Sequence, residues 1–176
     1  NLGEYVAYLM SSPSASSCVK ASEVLCVSHD EVNRFLISGS FTGKDLFKSV
    51  YGSINLVGGT LSADDSVLDK PYTKLGTTEL VGKFYSGKHH QVVKGVNIIV
   101  LVYTTVSGYS VPVNFRVYRK SDGKTKNEYF QDMIREVYNW GLRPKWITAD
   151  TWYSATDNLK FLRNLEMNFM VGIESN

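Results

Sequence analysis

The chain has 176 residues and a mass of 19.7 kDa, room for one domain with a core or a small module beside a larger domain. Apolar residues at 43% and charged residues at 20% exclude a disordered chain, and 14 Gly with 4 Pro exclude collagen-like and low-complexity classes. The net charge of +2 excludes nothing by itself, whereas the longest apolar run, Ile98 to Tyr103, is too short to cross a bilayer, which needs about 20 residues.

The first residue is Asn1 rather than Met, and no basic-then-apolar leader follows it. The chain stops at Gly172-Ile173-Glu174-Ser175-Asn176 with no terminal helix, so both ends read as cuts in a longer protein. Residues 4–50 read as helical. Tyr5, Tyr8 and Leu9 recur at helical spacing, and Ser11-Ser12-Pro13-Ser14 breaks that helix. Ser16 or Ser17 can cap a second helix, which carries Val19, Val24 and Leu25. Ser28 can cap a third, with Glu31 as its capping-box partner and Val32, Phe35 and Leu36 on one face. Helices joined by a tight turn fit either a helix-turn-helix or an ordinary structural pair, and Arg34 is the one obvious phosphate contact. Cys18 and Cys26 lack metal-site spacing and read as reduced core thiols of a cytosolic protein.

Gly58-Gly59 marks a change of texture, so residues 1–55 form a helical module and 56–176 a second unit. Thr60 to Leu68 reads as a strand containing Asp64-Asp65, and 69–91 as irregular and basic. Gly95 to Thr105 and Ser110 to Tyr118 form a β-hairpin around Ser107-Gly108, with Pro112 indicating an edge. Lys124 to Leu142 has helical period through Phe130, Met133, Ile134 and Val137, and Gly141 and Pro144 end it. Lys145 to Asp150 is a short strand. Ser154 can cap a further helix bearing Leu159, Phe161, Leu162 and Leu165, and Phe169 to Ile173 is a last strand. Trp140, Trp146 and Trp152 read as core or near-core residues rather than as a stacking platform. The order β-β-β-α-β-α-β specifies an α/β fold with a mixed sheet: an antiparallel meander, then parallel crossovers.

Charge is unevenly spread. Residues 70–126 hold 10 basic groups against 2 acidic ones. An excess of +8 suits a polyanion such as a nucleic-acid backbone, although a Lys-rich solvated sheet face would look the same. Lys88, His89, His90, Lys94, Arg119, Lys120, Lys124 and Lys126 are the candidate phosphate contacts in this segment. In this element order the first and fourth strands can be neighbours, which would bring Asp64 and Asp150 to one sheet edge. Two close carboxylates repel unless a cation lies between them, and Mg²⁺ suits one or two carboxylates plus phosphate oxygens. The plainer alternatives are an Asx turn at Asp64-Asp65 and a capping role for Asp150.

Six segments in order resemble one family. They are Ser28-His29-Asp30-Glu31-Val32-Asn33-Arg34-Phe35-Leu36; Asp64-Asp65-Ser66-Val67-Leu68-Asp69-Lys70-Pro71-Tyr72; Ser86-Gly87-Lys88-His89-His90; Lys94-Gly95-Val96-Asn97-Ile98; Gly123-Lys124-Thr125-Lys126-Asn127-Glu128-Tyr129-Phe130; and Ile147-Thr148-Ala149-Asp150-Thr151-Trp152-Tyr153-Ser154. Together they resemble the DDE transposases of bacterial insertion sequences. That resemblance implies an RNase H-like catalytic core, DNA binding by the helical module, and catalytic and metal-holding roles for Asp64 and Asp150. Asp65 is the alternative bearer of the first role, because the family's Asp-x-(Thr/Ser) pattern falls on Asp64 and Ser66. It further implies Mg²⁺ or Mn²⁺, double-stranded DNA at the element ends and target, a homodimer, and a bacterial cytoplasmic, nucleoid-associated location. The third acid of the family, a Glu on a later helix, has no counterpart here. Glu174 comes too early, so the chain reads as a fragment inactive alone. Another RNase H-like nuclease or resolvase, or an inactive DNA-binding remnant, stays open as an alternative.

Overall fold

The computed structural model describes residues 2–12 and 17–173. Pro13, Ser14, Ser16 and Glu174 lie outside the described residues. The chain divides into two compact units, 1–41 and 42–176.

The first unit consists of α1 (Leu2–Ser11), α2 (Cys18–Leu25) and α3 (His29–Ser38). Ser17 caps α2 by accepting the Lys20 N–H, and Ser28 caps α3 by accepting the Glu31 N–H. Each such cap contributes about 1 kcal/mol. Tyr8, Ala21 and Val32 form a small core. Cys18 packs beside that core, but Cys26 is exposed at the left-handed cap of α2 (φ 53°), so the expectation of two core thiols fails for Cys26.

The second unit opens with α4 (Gly43–Tyr51), which places the division after Phe41 rather than near residue 55. The reason is packing. Phe47 is buried in the main core against Trp140, with ring centroids 5.3 Å apart. Then come β1 (Thr60–Asp69), β2 (Gly82–Ser86), β3 (Gln91–Thr104), β4 (Ser110–Tyr118), α5 (Lys126–Asn139), β5 (Trp146–Ala149), α6 (Thr156–Asn164) and β6 (Asn168–Val171). They make one six-stranded mixed sheet. β3 is antiparallel to β1, β2 and β4, while β5 and β6 run parallel to β1. The path β4-β3-β1-β5-β6 is the RNase H-like arrangement that the resemblance implies, and β2 is an addition to it. Its five residues lie in the stretch expected to be irregular, because a strand that short leaves little periodic signal.

Alternation sets the two faces. Leu61 and Ala63 of β1, Ile99, Leu101 and Tyr103 of β3 and Ile147 of β5 are buried on one face, where Phe130, Met133 and Ile134 of α5 cover them. Thr125 and Glu128 form a complete capping box that starts α5. Ser154 caps no helix. It closes a 3-10 turn (Thr151–Tyr153) by donating to the Thr151 carbonyl, and Ala155 precedes α6 without a side-chain cap. Pro112 sits on β4, which pairs only with β3, beside the bulge where Leu101 and Val102 shift register.

Candidate functional site at the β1–β5 pair

Parallel pairing of β1 and β5 aligns Ser62 with Thr148 and Ala63 with Ala149. The hydroxyls of Ser62 and Thr148 meet at 2.8 Å. One step further along each chain stand Asp64 and Asp150. The sheet therefore brings into one cleft two acids 86 residues apart in sequence, Asp64 within β1 and Asp150 just beyond β5. Both line a single cleft of about 840 Å³, together with Asp65, Ser66, Lys83, Lys88, Lys120 and Lys126 among others.

The three carboxylates differ in environment. Asp64 is exposed and accepts the Asp65 backbone N–H at its Oδ1 (2.8 Å). Asp65 falls on the opposite parity, the core face, and its side chain is 14% exposed. Its Oδ2 accepts from Asn97 Nδ2 and from Lys126 Nζ, both at 2.6 Å. Burying a charge costs free energy unless it is paired, and Lys126 at the first turn of α5 provides the pair. Asp150 caps the 3-10 turn by accepting the Trp152 N–H at 3.1 Å. The capping role and the cleft position thus coexist in one side chain. Burial, followed by the charges of Asp65 and Asp64, holds the Asp150 carboxyl above its ordinary range, against the Trp152 N–H and Lys126. Tyr153, buried and stacked on Phe130 at 4.8 Å, is likewise held neutral by burial and by the same three carboxylates. Its hydroxyl and Asn97 Oδ1 are buried without a protein partner.

The candidate phosphate contacts separate. Lys88, Lys120 and Lys126 line the cleft, whereas His89, His90, Lys94, Arg119 and Lys124 are not among its lining residues. His89 instead bonds Asp69 at 2.6 Å, Arg119 pairs with Asp122 at 3.3 Å, and Lys124 pairs with Asp132 at 2.7 Å. Arg34 is exposed on α3 of the other unit. That unit carries Lys20 and Arg34 against Glu4, Glu23, Asp30 and Glu31, so it adds no positive field of its own. Sequence reading missed Lys83, Asn97 and Trp152. Lys83 lay in a stretch read as irregular, and nothing local distinguishes Asn97 within its apolar run. Trp152 and Trp146 are exposed rather than core, while Trp140 packs against the core.

Among the described residues, no group of three His, Cys, Asp or Glu side chains is placed to hold a metal ion. The anionic donors of the cleft are the carboxylates of Asp64, Asp65 and Asp150. Such a set suits Mg²⁺ or Mn²⁺, which need one or two protein carboxylates and complete their shell with water or phosphate oxygen. Among the described residues, Asp64 and Asp150 each have one carboxylate oxygen with no hydrogen bond. Among the described residues no helix is long and apolar enough to cross a membrane.

No protein-family model and no curated protein matches this chain. Among solved structures it is similar to a simian T-cell lymphotropic virus intasome in complex with PP2A regulatory subunit B56 gamma (13% identity, TM-score 0.38, 70% of this chain and 35% of that chain). It is similar to the Mos1 strand transfer complex (15% identity, TM-score 0.37, 97% of this chain and 57% of that chain). It is also similar to the Drosophila P element transposase strand transfer complex (12% identity, TM-score 0.29, 89% of this chain and 37% of that chain). The chain spans roughly a third to somewhat over half of the length of these chains. At these values the chemistry rests on the cleft itself.

Proposed function

We propose that this chain is the catalytic core of a DDE-type DNA transposase of a bacterial insertion sequence, acting on double-stranded DNA as a pair of copies in a bacterial cytoplasm. One observation carries the reading. Asp64, within β1, and Asp150, just past the end of β5, each follow the last paired residues of these parallel neighbours, Ala63 and Ala149, and share a cleft lined by Lys83, Lys88, Lys120 and Lys126. The sequence resemblance that assigns these same two acids supports it. Asp64 and Asp150 would hold the divalent ion, and Asp65 would stay with Lys126 and Asn97 as a positioning residue. The bound ion would activate the attacking oxygen and offset charge on the leaving one. The lysines at the rim would hold phosphates of the DNA backbone. Lys126 would help to neutralise the acids before any metal binds.

Asp64→Asn and Asp150→Asn, each in the whole transposase, are expected to lower Mg²⁺-dependent cleavage of labelled element ends by at least about a thousandfold (about 4 kcal/mol). DNA binding in a gel-shift assay should change little. Unchanged cleavage in both variants would sink the assignment. The products separate the competing readings: joined DNA marks a transposase, cut ends alone a nuclease or resolvase, and binding without either an inactive remnant.

A further inference from the structure

A run of side-chain amides between α5 and α6 has a fixed direction. Asn158 of α6 is fully buried. Its Nδ2 donates to the Tyr153 carbonyl at 3.1 Å and to Asn127 Oδ1 at 2.9 Å. Its Oδ1 accepts from Gln131 Nε2 at 2.9 Å, and Gln131 Oε1 accepts from Arg135 at 3.1 Å. Each end of this run allows one sense only, because a guanidinium can only donate and a backbone carbonyl can only accept. Every amide between them is thereby oriented, and Asn127 has to offer its oxygen inward to Asn158. Turning any one of them over would set donor against donor or acceptor against acceptor and leave buried polar groups unpaired.

Asn127 itself is half-buried and lines the cleft with Lys126, Asp64 and Asp150. With its oxygen taken by Asn158, the group left to it is the NH₂, which meets no protein acceptor among the described residues. An amide that can only donate is unsuited to an adenine edge, which takes a donor and an acceptor from the same Asn. It suits an acceptor that every nucleotide carries, the phosphate oxygen, and Lys83, Lys88 and Lys120 on the same lining suit that group too. Lys126, the neighbouring cation, is engaged by Asp65, whereas a neutral NH₂ beside three acids is not drawn off by their charge. We propose that Asn127 is a donor-only contact to a backbone phosphate, aimed into the cleft by the buried amide of Asn158. This rests on the nucleic-acid reading above and goes beyond it in assigning a contact that carries no charge and is blind to base sequence.

The test measures the affinity of the 176-residue chain for two duplexes of unrelated sequence by fluorescence anisotropy, over a series of salt concentrations. Asn127→Ala should lose on the order of tenfold in affinity, equally for both duplexes. Asn127→Asp keeps the inward oxygen and exchanges only the outward donor for an acceptor, so it should lose more. The slope of log affinity against log salt should be unchanged in Asn127→Ala, because a neutral donor releases no counterion, whereas Lys120→Ala should flatten it by about one. Asn158→Leu frees the Asn127 amide, so it should weaken binding by itself and add nothing in the Asn127→Ala background. Near-UV circular dichroism checks that the variants are folded, and the Asn127 variants decide the contact even where Asn158→Leu does not fold. Wild-type affinity in Asn127→Ala, a loss confined to one duplex, or a flattened salt slope would overturn the contact while leaving duplex binding in place. Full additivity of Asn158→Leu with Asn127→Ala would overturn the aiming by Asn158. If the wild type binds neither duplex, the nucleic-acid reading falls and the contact falls with it.

Discussion

Asp150 carries two demands in one carboxylate. It caps the turn that positions Trp152 and Tyr153, and it shares a cleft with two other acids. A carboxyl held above its ordinary range resists ionisation, so the folded chain gives up stability when Asp150 is charged. That loss is absent well below about pH 4, where the group is protonated folded or unfolded, and sets in as pH rises past it. Asp150→Asn should therefore raise the melting temperature at pH 7, with the gain shrinking toward pH 3. A gain that is equal at both pH values, or none at all, would count against the burial and the neighbouring acids that hold the Asp150 carboxyl up. The sequence marked Asp64 and Asp150 because both could fall at strand ends. It left Asp65 open as an alternative, because adjacent residues on a strand differ only in the face they take. The pairing of β1 with β3 puts Asp65 level with the buried face that also bears Asn97, and Lys126 then reaches it from α5.

At the scale of the element, caps and alternation were readable and long-range anchors were not. Ser17 and Ser28 cap as their spacing suggests, because a cap bonds within three residues. α4 is secured differently. An added Cβ on Gly43 would come 1.8 Å from Asn114 Oδ1. Asn114 is fully buried and cannot easily yield, since it donates to the Met133 carbonyl and to Glu136 and accepts the Phe115 N–H. Gly43→Ala should destabilise the fold by about 2 kcal/mol through overpacking against β4. Equilibrium denaturation would show it as a lower midpoint at unchanged slope, and an unchanged midpoint would refute the tight approach. Nothing near Gly43 in sequence announces a partner 71 residues away.

Across the whole molecule, the division after Phe41 assigns α4 to the sheet domain. Residues 42–176 contain the entire main core, including Phe47. A chain of residues 42–176 should unfold in one cooperative transition. A chain starting at residue 56 loses Phe47 and should be weaker by about 3 kcal/mol or more, the usual cost of removing a buried Phe. Comparing the two by thermal unfolding decides where the domain begins, and equal stability would restore the boundary near residue 55. The same scale explains the charge. A net +2 conceals 10 basic groups against 2 acidic ones in residues 70–126, yet only some of them reach the cleft, because Arg119 and Lys124 are taken up by nearby acids.

The sequence by itself determined the order of most strands and helices, the buried stripe of α5 and the local caps of α2 and α3. These are properties of spacing within a few residues, which the chain carries wherever it is placed. Only the tertiary structure decided that β1 and β5 pair in parallel at Ala63 and Ala149, that Lys126 and Asn97 engage Asp65, and that Trp152 stands in the cleft rather than in the core. Those depend on register between strands and on which face a neighbouring helix covers, and both are fixed when distant segments pack together.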